Sequence, residues 1–384
     1  MSRIPNLDPV RFLLAALVVV FHVPDISATV GMPSWSGLSV LNRGEEAVYG
    51  FFVLSGFLIT YLLIKEKAKH GTVSIRQFYI RRALRIWPVY FLVLGFGLLY
   101  YNVILPMVGM PFEVEYSIGE ALAYNVLFLP NIFAYSYDTG GILVVLWSIG
   151  IEEQFYILWG PLSKYLPSQL FAPFLAAFFV VFGAVFWFSP LAAVLLKYKM
   201  FFYYFAAGGL FGTWAARGQG DFSHAVFSKP VQALALGLAM LYYTTGVLQA
   251  ALAPWALHLA DAWLFSYLVF NFGFNPNKLF TLRSEALDYL GQISYGIYMY
   301  HMIALNFVLF VFLQFRLDEV FGFAGSILVI NGLTMALAIF GASLSYRYFE
   351  SFFIRLKGRY RVLQPTPRVS PSGFAGPVAP EAGA

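Results

Sequence analysis

The sequence contains no cysteine. That excludes a disulfide framework, a thiolate nucleophile, a thiolate–zinc site and an iron–sulfur cluster. Charge is scarce as well: Asp, Glu, Lys and Arg make up 11% of 384 residues, where a soluble domain carries about a quarter. The deficit is not local, because apolar runs recur from Val10 to Phe353 and the mean hydropathy is +0.72. Lipid admits only helices and closed barrels as spanning structures. These runs are too long and too continuously apolar for the alternating strands of a barrel. The expected fold class is all-α, a polytopic membrane protein in contact with the lipid bilayer. A net charge of +5 fits the cation excess of cytoplasmic loops, so no nucleic-acid partner is expected, nor any resident metal or permanently bound cofactor.

Eleven apolar segments can be marked, near Pro9–Val30, Ala47–Ile64, Ile86–Met107, Ile118–Phe133, Val144–Leu166, Leu170–Phe188, Met200–Ala216, Val231–Gln249, Trp255–Phe272, Tyr289–Phe312 and Phe323–Phe349. Most approach the ~20 residues that a crossing needs. The first has only Arg3 and Arg11 near it and no small-x-small cleavage site, so it is expected to remain as a span. Ile118–Phe133 is short and broken by Glu120, Asn125, Pro130 and Asn131. If it does not cross, the 24 Lys and Arg divide as 19 inside, four outside (Arg43, Lys197, Lys199, Arg316) and Arg11 within a span. If it crosses, the division becomes 11 inside and 12 outside. The positive-inside rule therefore selects ten spans with both termini cytoplasmic. Val108–Leu143 then becomes a re-entrant or external cap. A membrane domain over residues 1–355 is expected, followed by a basic tail, 356–384, whose Pro-, Gly-, Ala- and Ser-rich end from Gln364 lacks any apolar period.

Ionisable groups inside spans are costly and mark functional candidates. Arg11 and His22 lie eleven residues apart in the first span, within ~20° of one helical face and ~16 Å apart along the axis. An anion held at Arg11 would sit well below a reactive centre at His22; a snorkelling arginine and a structural histidine are the alternative. Glu152 and Glu153 are adjacent within an apolar helix and point ~100° apart, so one is expected to turn inward and the other to find a separate partner, with structural pairing to arginine as the competing account. His301 continues a polar stripe with Tyr295 and Tyr298 on the tenth segment, either catalytic or a satisfied packing residue. Arg76, Arg81, Arg82 and Arg85 form a cytoplasmic cluster suited to phosphate, or to anionic lipid headgroups. Depth favours a common pocket. His22, Glu152 and His301 lie about thirteen, fourteen and twelve residues from the inner ends of their spans, ~20, ~21 and ~18 Å.

The same residues carry a resemblance. Asn6–Arg11 with Val18–His22, Phe51–Ile59, Arg81–Tyr90, Leu146–Tyr156 and Ile293–His301 occur in order over ten spans. In this the chain resembles acyltransferase family 3, bacterial membrane enzymes that modify surface polysaccharides, peptidoglycan or small acceptors. The resemblance covers Asn6 to about Glu350. It implies a ten-helix acyltransferase fold in the cytoplasmic membrane with acyl-CoA, acetyl-CoA above all, entering from the cytoplasm as donor. Arg11 and His22 match the family's essential Arg–His pair, with His22 as base. Arg81, Arg82 and Arg85 match the basic motif that meets the donor's phosphates, and Glu152 matches the family's glutamate. Ser55 and Gly56 match its Ser-Gly-Phe segment and are grouped with the donor-binding residues. Pro9 stands where the family has Gly, at a first-turn position that tolerates proline. The tail is expected to carry no hydrolase-like domain of the kind some relatives have.

The expected activity is transfer of an acyl group to a hydroxyl of a carbohydrate or glycolipid acceptor, with Glu152 orienting the imidazole or stabilising its charged form. Trp35, Tyr135 and Tyr137 offer aromatic faces for a sugar, as interfacial belts also do. Two rival readings use the same charges: a transporter or flippase of an envelope glycan, and a non-catalytic partner in envelope assembly. The sequence names neither the acyl group nor the acceptor, and leaves the oligomeric state open.

Overall fold

The computed structural model describes residues 4, 6–35, 37, 39–110, 112–218, 224–282 and 284–360. The tail beyond 360 lies outside them. Ten long helices account for the ten expected spans: α1 (Leu7–Thr29), α2 (Gly44–His70), α3 (Ile75–Leu99), then, after two short segments α4 (Ile118–Val126) and α5 (Pro130–Ala134), α6 (Leu146–Tyr165), α7 (Phe171–Phe188), α8 (Phe202–Arg217), α9 (Lys229–Thr244), α10 (Pro254–Phe274), α11 (Ser294–Phe315) and α12 (Leu317–Leu344). Among the described residues there is no strand. Seven helical runs are long and apolar enough to cross a membrane. Of the rest, α8 and α9 have 16 residues each, and α10 carries His258, Asp261 and Asn271.

The doubtful segment 118–133 resolves into a cap. Helices α4 and α5 have nine and five residues, ~14 and ~8 Å, too short to cross. A Ser117–Glu120 capping box starts α4. The Tyr90 hydroxyl of α3 holds its other end, donating to Asn125 Oδ1 at 2.9 Å. At the far end of the chain the helical path runs on through a π-turn, Ser345–Glu350, to Gly358. The expected domain boundary at residue 356 therefore falls inside a helix.

Helix ends follow charge. Helix α2 opens on Glu45 and Glu46 and closes on Lys67, Lys69 and His70, each sign facing the helix-dipole end that favours it. Close packing follows small residues. Gly208 and Gly212 on α8 form a small-xxx-small ridge against α2, and a methyl group at either would overlap the backbone of Val53 or Phe57. This tight α2–α8 pair fixes the wall on which Ser55 stands. Asn6, immediately before helix α1, donates its side-chain amide to the Phe272 carbonyl at 2.9 Å, and α1 packs against α2 and α11.

Candidate active site

Five helices converge on one polar chamber. Arg11 (α1), Ser55 (α2), Arg82 and Arg85 (α3), Glu152 and Tyr156 (α6) and Tyr298 (α11) line a cavity of about 130 Å³, room for roughly four waters. Glu152 is held by two hydroxyls: Ser55 donates to Oε1 at 3.0 Å and Tyr156 to Oε2 at 2.5 Å. The Arg82 guanidinium lies over the Tyr156 and Phe78 rings at 5.9 and 6.0 Å, a cation–π seat. Arg85 donates to the Gln292 carbonyl at 3.1 Å and Arg11 pairs with Asp8 at 3.2 Å. A larger apolar cavity between α3, α11 and α12 is lined by no Asp, Glu, Lys, Arg or His, so the charged chemistry belongs to the smaller one.

Two of the expected donor residues are elsewhere. Arg81 turns away from the cavity and pairs with Glu66 at 2.8 Å. Gly56 faces α8, where a methyl group in place of its hydrogen would overlap the Phe205 backbone, leaving no surface for a ligand. The adjacent carboxylates part as their ~100° offset requires: Glu153 is buried and accepts from the Trp87 indole at 3.3 Å, outside the cavity.

The two histidines of the polar stripes meet. His301 Nε2 lies 3.3 Å from His22 Nδ1, with ring centroids 4.9 Å apart. His22 Nδ1 also faces the Val18 carbonyl at 2.9 Å, and His301 Nδ1 the Tyr298 carbonyl at 2.5 Å. His301 is fully buried, whereas His22 is half-buried. The expected contact between Glu152 and His22 does not form among the described residues, because both Glu152 oxygens are taken by hydroxyls on the arginine side. Tyr298 joins the two parts: its side chain lines the arginine cavity while its carbonyl holds His301. The Tyr298 hydroxyl bonds the Val145 carbonyl and the Ser148 hydroxyl at 2.9 and 2.7 Å.

Ser148, Tyr156 and Tyr298 were not singled out as site residues from the sequence, although all three lie within its matching motifs. Of the aromatic residues considered for sugars, Tyr135 lies under the Lys199 ammonium at 5.6 Å and Tyr137 donates to Glu120 at 3.3 Å. Trp35 is partly exposed, 6.4 Å from the Phe323 ring.

Fold and site define a class: a multi-pass helical membrane protein with a buried chamber of guanidinium and carboxylate groups and, joined to it through Tyr298, a pair of imidazoles. The chain belongs to acyltransferase family 3, matching the family described as an acyltransferase domain over residues 4–345. It is similar to the peptidoglycan O-acetyltransferase OatA of Listeria monocytogenes, at 30% identity over 159 residues, and to the putative peptidoglycan O-acetyltransferase YrhL of Bacillus subtilis, at 29% over 164. A putative O-acetyltransferase of Staphylococcus aureus is 32% identical over 166 residues. Each match covers 41% of this chain and 23% to 24% of the relative, so the aligned part spans about a quarter of those proteins' length. No solved structure matches the chain.

Proposed function

We propose that the protein is an O-acyltransferase of the bacterial cytoplasmic membrane, with both termini inside. It moves an acyl group, acetyl first among the candidates, from cytoplasmic acyl-CoA to a hydroxyl on a carbohydrate-type acceptor: polysaccharide, peptidoglycan or glycolipid. One observation carries the reading. Helix α1 presents Arg11 to a cavity shared with Arg82 and Arg85 and, eleven residues on, presents the half-buried imidazole of His22. That separation, ~16 Å along the helix, is comparable to a pantetheine arm.

Arg82, Arg85 and Arg11 hold the donor's phosphates, for which guanidinium forks are suited. The arm threads along α1 and brings the thioester to His22. His22 accepts the proton of the acceptor hydroxyl as its oxygen attacks the thioester carbonyl. The C–O bond forms, the C–S bond breaks, and the proton passes to the departing thiolate, giving ester and free CoA thiol. Glu152, fixed by Ser55 and Tyr156, supplies the counter-charge that keeps the guanidinium groups in register.

The test is transfer of labelled acetyl-CoA by membranes carrying the protein or its His22→Ala variant, with mass analysis of surface glycans from a deletion strain. Loss of roughly 10²- to 10⁴-fold is expected, the span of general acid–base catalysis. Undiminished transfer at equal expression, or a glycan that moves without gaining acyl mass, overturns the proposal.

A further inference from the structure

We infer that His301 is a positioning residue that fixes the tautomer of His22 and leaves His22 Nε2 as the nitrogen that takes the proton. The inference rests on three contacts. A backbone carbonyl only accepts hydrogen bonds, so the ring nitrogen facing it must carry hydrogen. His301 Nδ1 faces the Tyr298 carbonyl at 2.5 Å, and His22 Nδ1 faces the Val18 carbonyl at 2.9 Å. Both Nδ1 atoms are therefore protonated. Between the rings, His22 Nδ1 and His301 Nε2 are 3.3 Å apart. Two N–H groups cannot point at each other, so His301 Nε2 is a bare lone pair and accepts a share of the His22 hydrogen. His301 is thus neutral, and in the neutral form of His22 the remaining nitrogen, Nε2, carries the free lone pair. In a serine-type triad a carboxylate performs this orientation; here, among the described residues, no carboxylate bonds either ring. Burial agrees with the division of labour, since His301 is 0% exposed while His22 keeps partial access.

The catalytic consequence depends on the acyl-transfer reading; the tautomers do not. When Nε2 takes the acceptor's proton, the imidazolium shares its Nδ1 hydrogen with His301 Nε2, which spreads the charge without any group titrating beforehand. The departing thiolate then removes the proton from the same Nε2.

Solid-state ¹⁵N NMR of histidine-labelled full-length protein in lipid bilayers tests the tautomers directly. The sequence has five histidines, and difference spectra with His70→Gln, His224→Gln and His258→Gln isolate the lines of the pair. Both rings are expected neutral, with protonated Nδ1 and bare Nε2. A protonated Nε2 on either ring overturns the inference. Kinetics form the second arm. His301→Leu is expected to lose about 10²- to 10³-fold in kcat at unchanged KM for acyl-CoA, while His301→Gln, which restores an acceptor, regains at least tenfold. A folded His301→Leu protein with full kcat removes the positioning role. Should the NMR lines match while no variant or parent protein acylates any acceptor, the tautomer assignment stands and the acyl-transfer reading fails.

Discussion

Arg81 and Glu66 are joined at 2.8 Å between α3 and α2, with the carboxylate 3% exposed. The other Glu66 oxygen accepts the Ser74 backbone N–H at 2.8 Å, so the pair closes the turn between the two helices. Arg82 and Arg85, at i and i+3, share the neighbouring face and look into the cavity. The basic motif thus divides into one structural and two cavity-facing arginines. Arg81→Ala should lower stability by about 3 kcal/mol, because it strands a buried carboxylate, yet leave the KM for acyl-CoA unchanged at permissive temperature. Arg82→Ala should do the reverse, weakening donor binding by ~10- to 100-fold, the worth of a charged hydrogen bond, with a near-normal melting temperature. Thermal melts paired with equilibrium binding of labelled acyl-CoA separate the two, and a donor-binding defect in Arg81→Ala alone would reverse the assignment.

Glu152 offers a second separation of effects. It is the carboxylate among three cavity guanidinium groups, held by Ser55 and Tyr156. Glu152→Gln removes a negative charge from a site proposed to bind a polyanion, so acyl-CoA should bind severalfold more tightly. The amide also donates where the carboxylate only accepted, so Ser55 and Tyr156 must reorient and kcat should fall by at least tenfold. KM and kcat therefore fall together, the pattern of a bound ground state relieved of strain. Weaker acyl-CoA binding with intact kcat would contradict this role.

Much of this was legible in the sequence, and the rest failed for identifiable reasons. Charge counting made 118–133 a non-crossing segment, re-entrant or external, because positive-inside bias integrates over every loop, and its helices are indeed too short to cross. The depths of His22 and His301 anticipated that they would meet, since rise per residue converts sequence position into height. Height says nothing about azimuth, however, and Glu152 at nearly the same level turns to Ser55 and Tyr156. The basic motif groups Arg81, Arg82 and Arg85 alike, whereas only Arg82 and Arg85 share the cavity. The partner that captures Arg81 is Glu66, fifteen residues away across a turn, beyond the reach of any helical pattern.

Gly56 illustrates a motif position whose reason is steric. It adjoins Ser55, which bonds Glu152, but its own face is occupied by the Phe205 backbone. Gly56→Ala should force α2 and α8 apart and cost at least 1–3 kcal/mol, as overpacking does; Ser55→Ala should fold normally and act on kcat. Size-exclusion profiles and melting temperatures of the two variants in detergent provide the check, and a Gly56→Ala protein as stable as its parent would show that the two helices can yield.

Tyr90 and Asn125 anchor the cap, and their contact is fully buried. The Tyr90 hydroxyl donates toward Asn125 Oδ1 and lies 3.1 Å from the Asn125 carbonyl, while the Asn125 amide donates to the Ala121 carbonyl at 2.8 Å. Tyr90→Phe keeps the ring and its packing but leaves Asn125 Oδ1 without its donor. An unsatisfied buried acceptor costs about 1–3 kcal/mol, and the loss falls on the docking of α4 rather than on the helix bundle. Hydrogen exchange should therefore rise over residues 118–134 with little change in α1, α2 or α11. The cavity-facing arginines are on the opposite side of this contact in sequence, at the start of α3, so acyl-CoA binding should be preserved. If Tyr90→Phe instead raised exchange uniformly through the bundle, the cap would be part of the membrane core and not a separable lid on it.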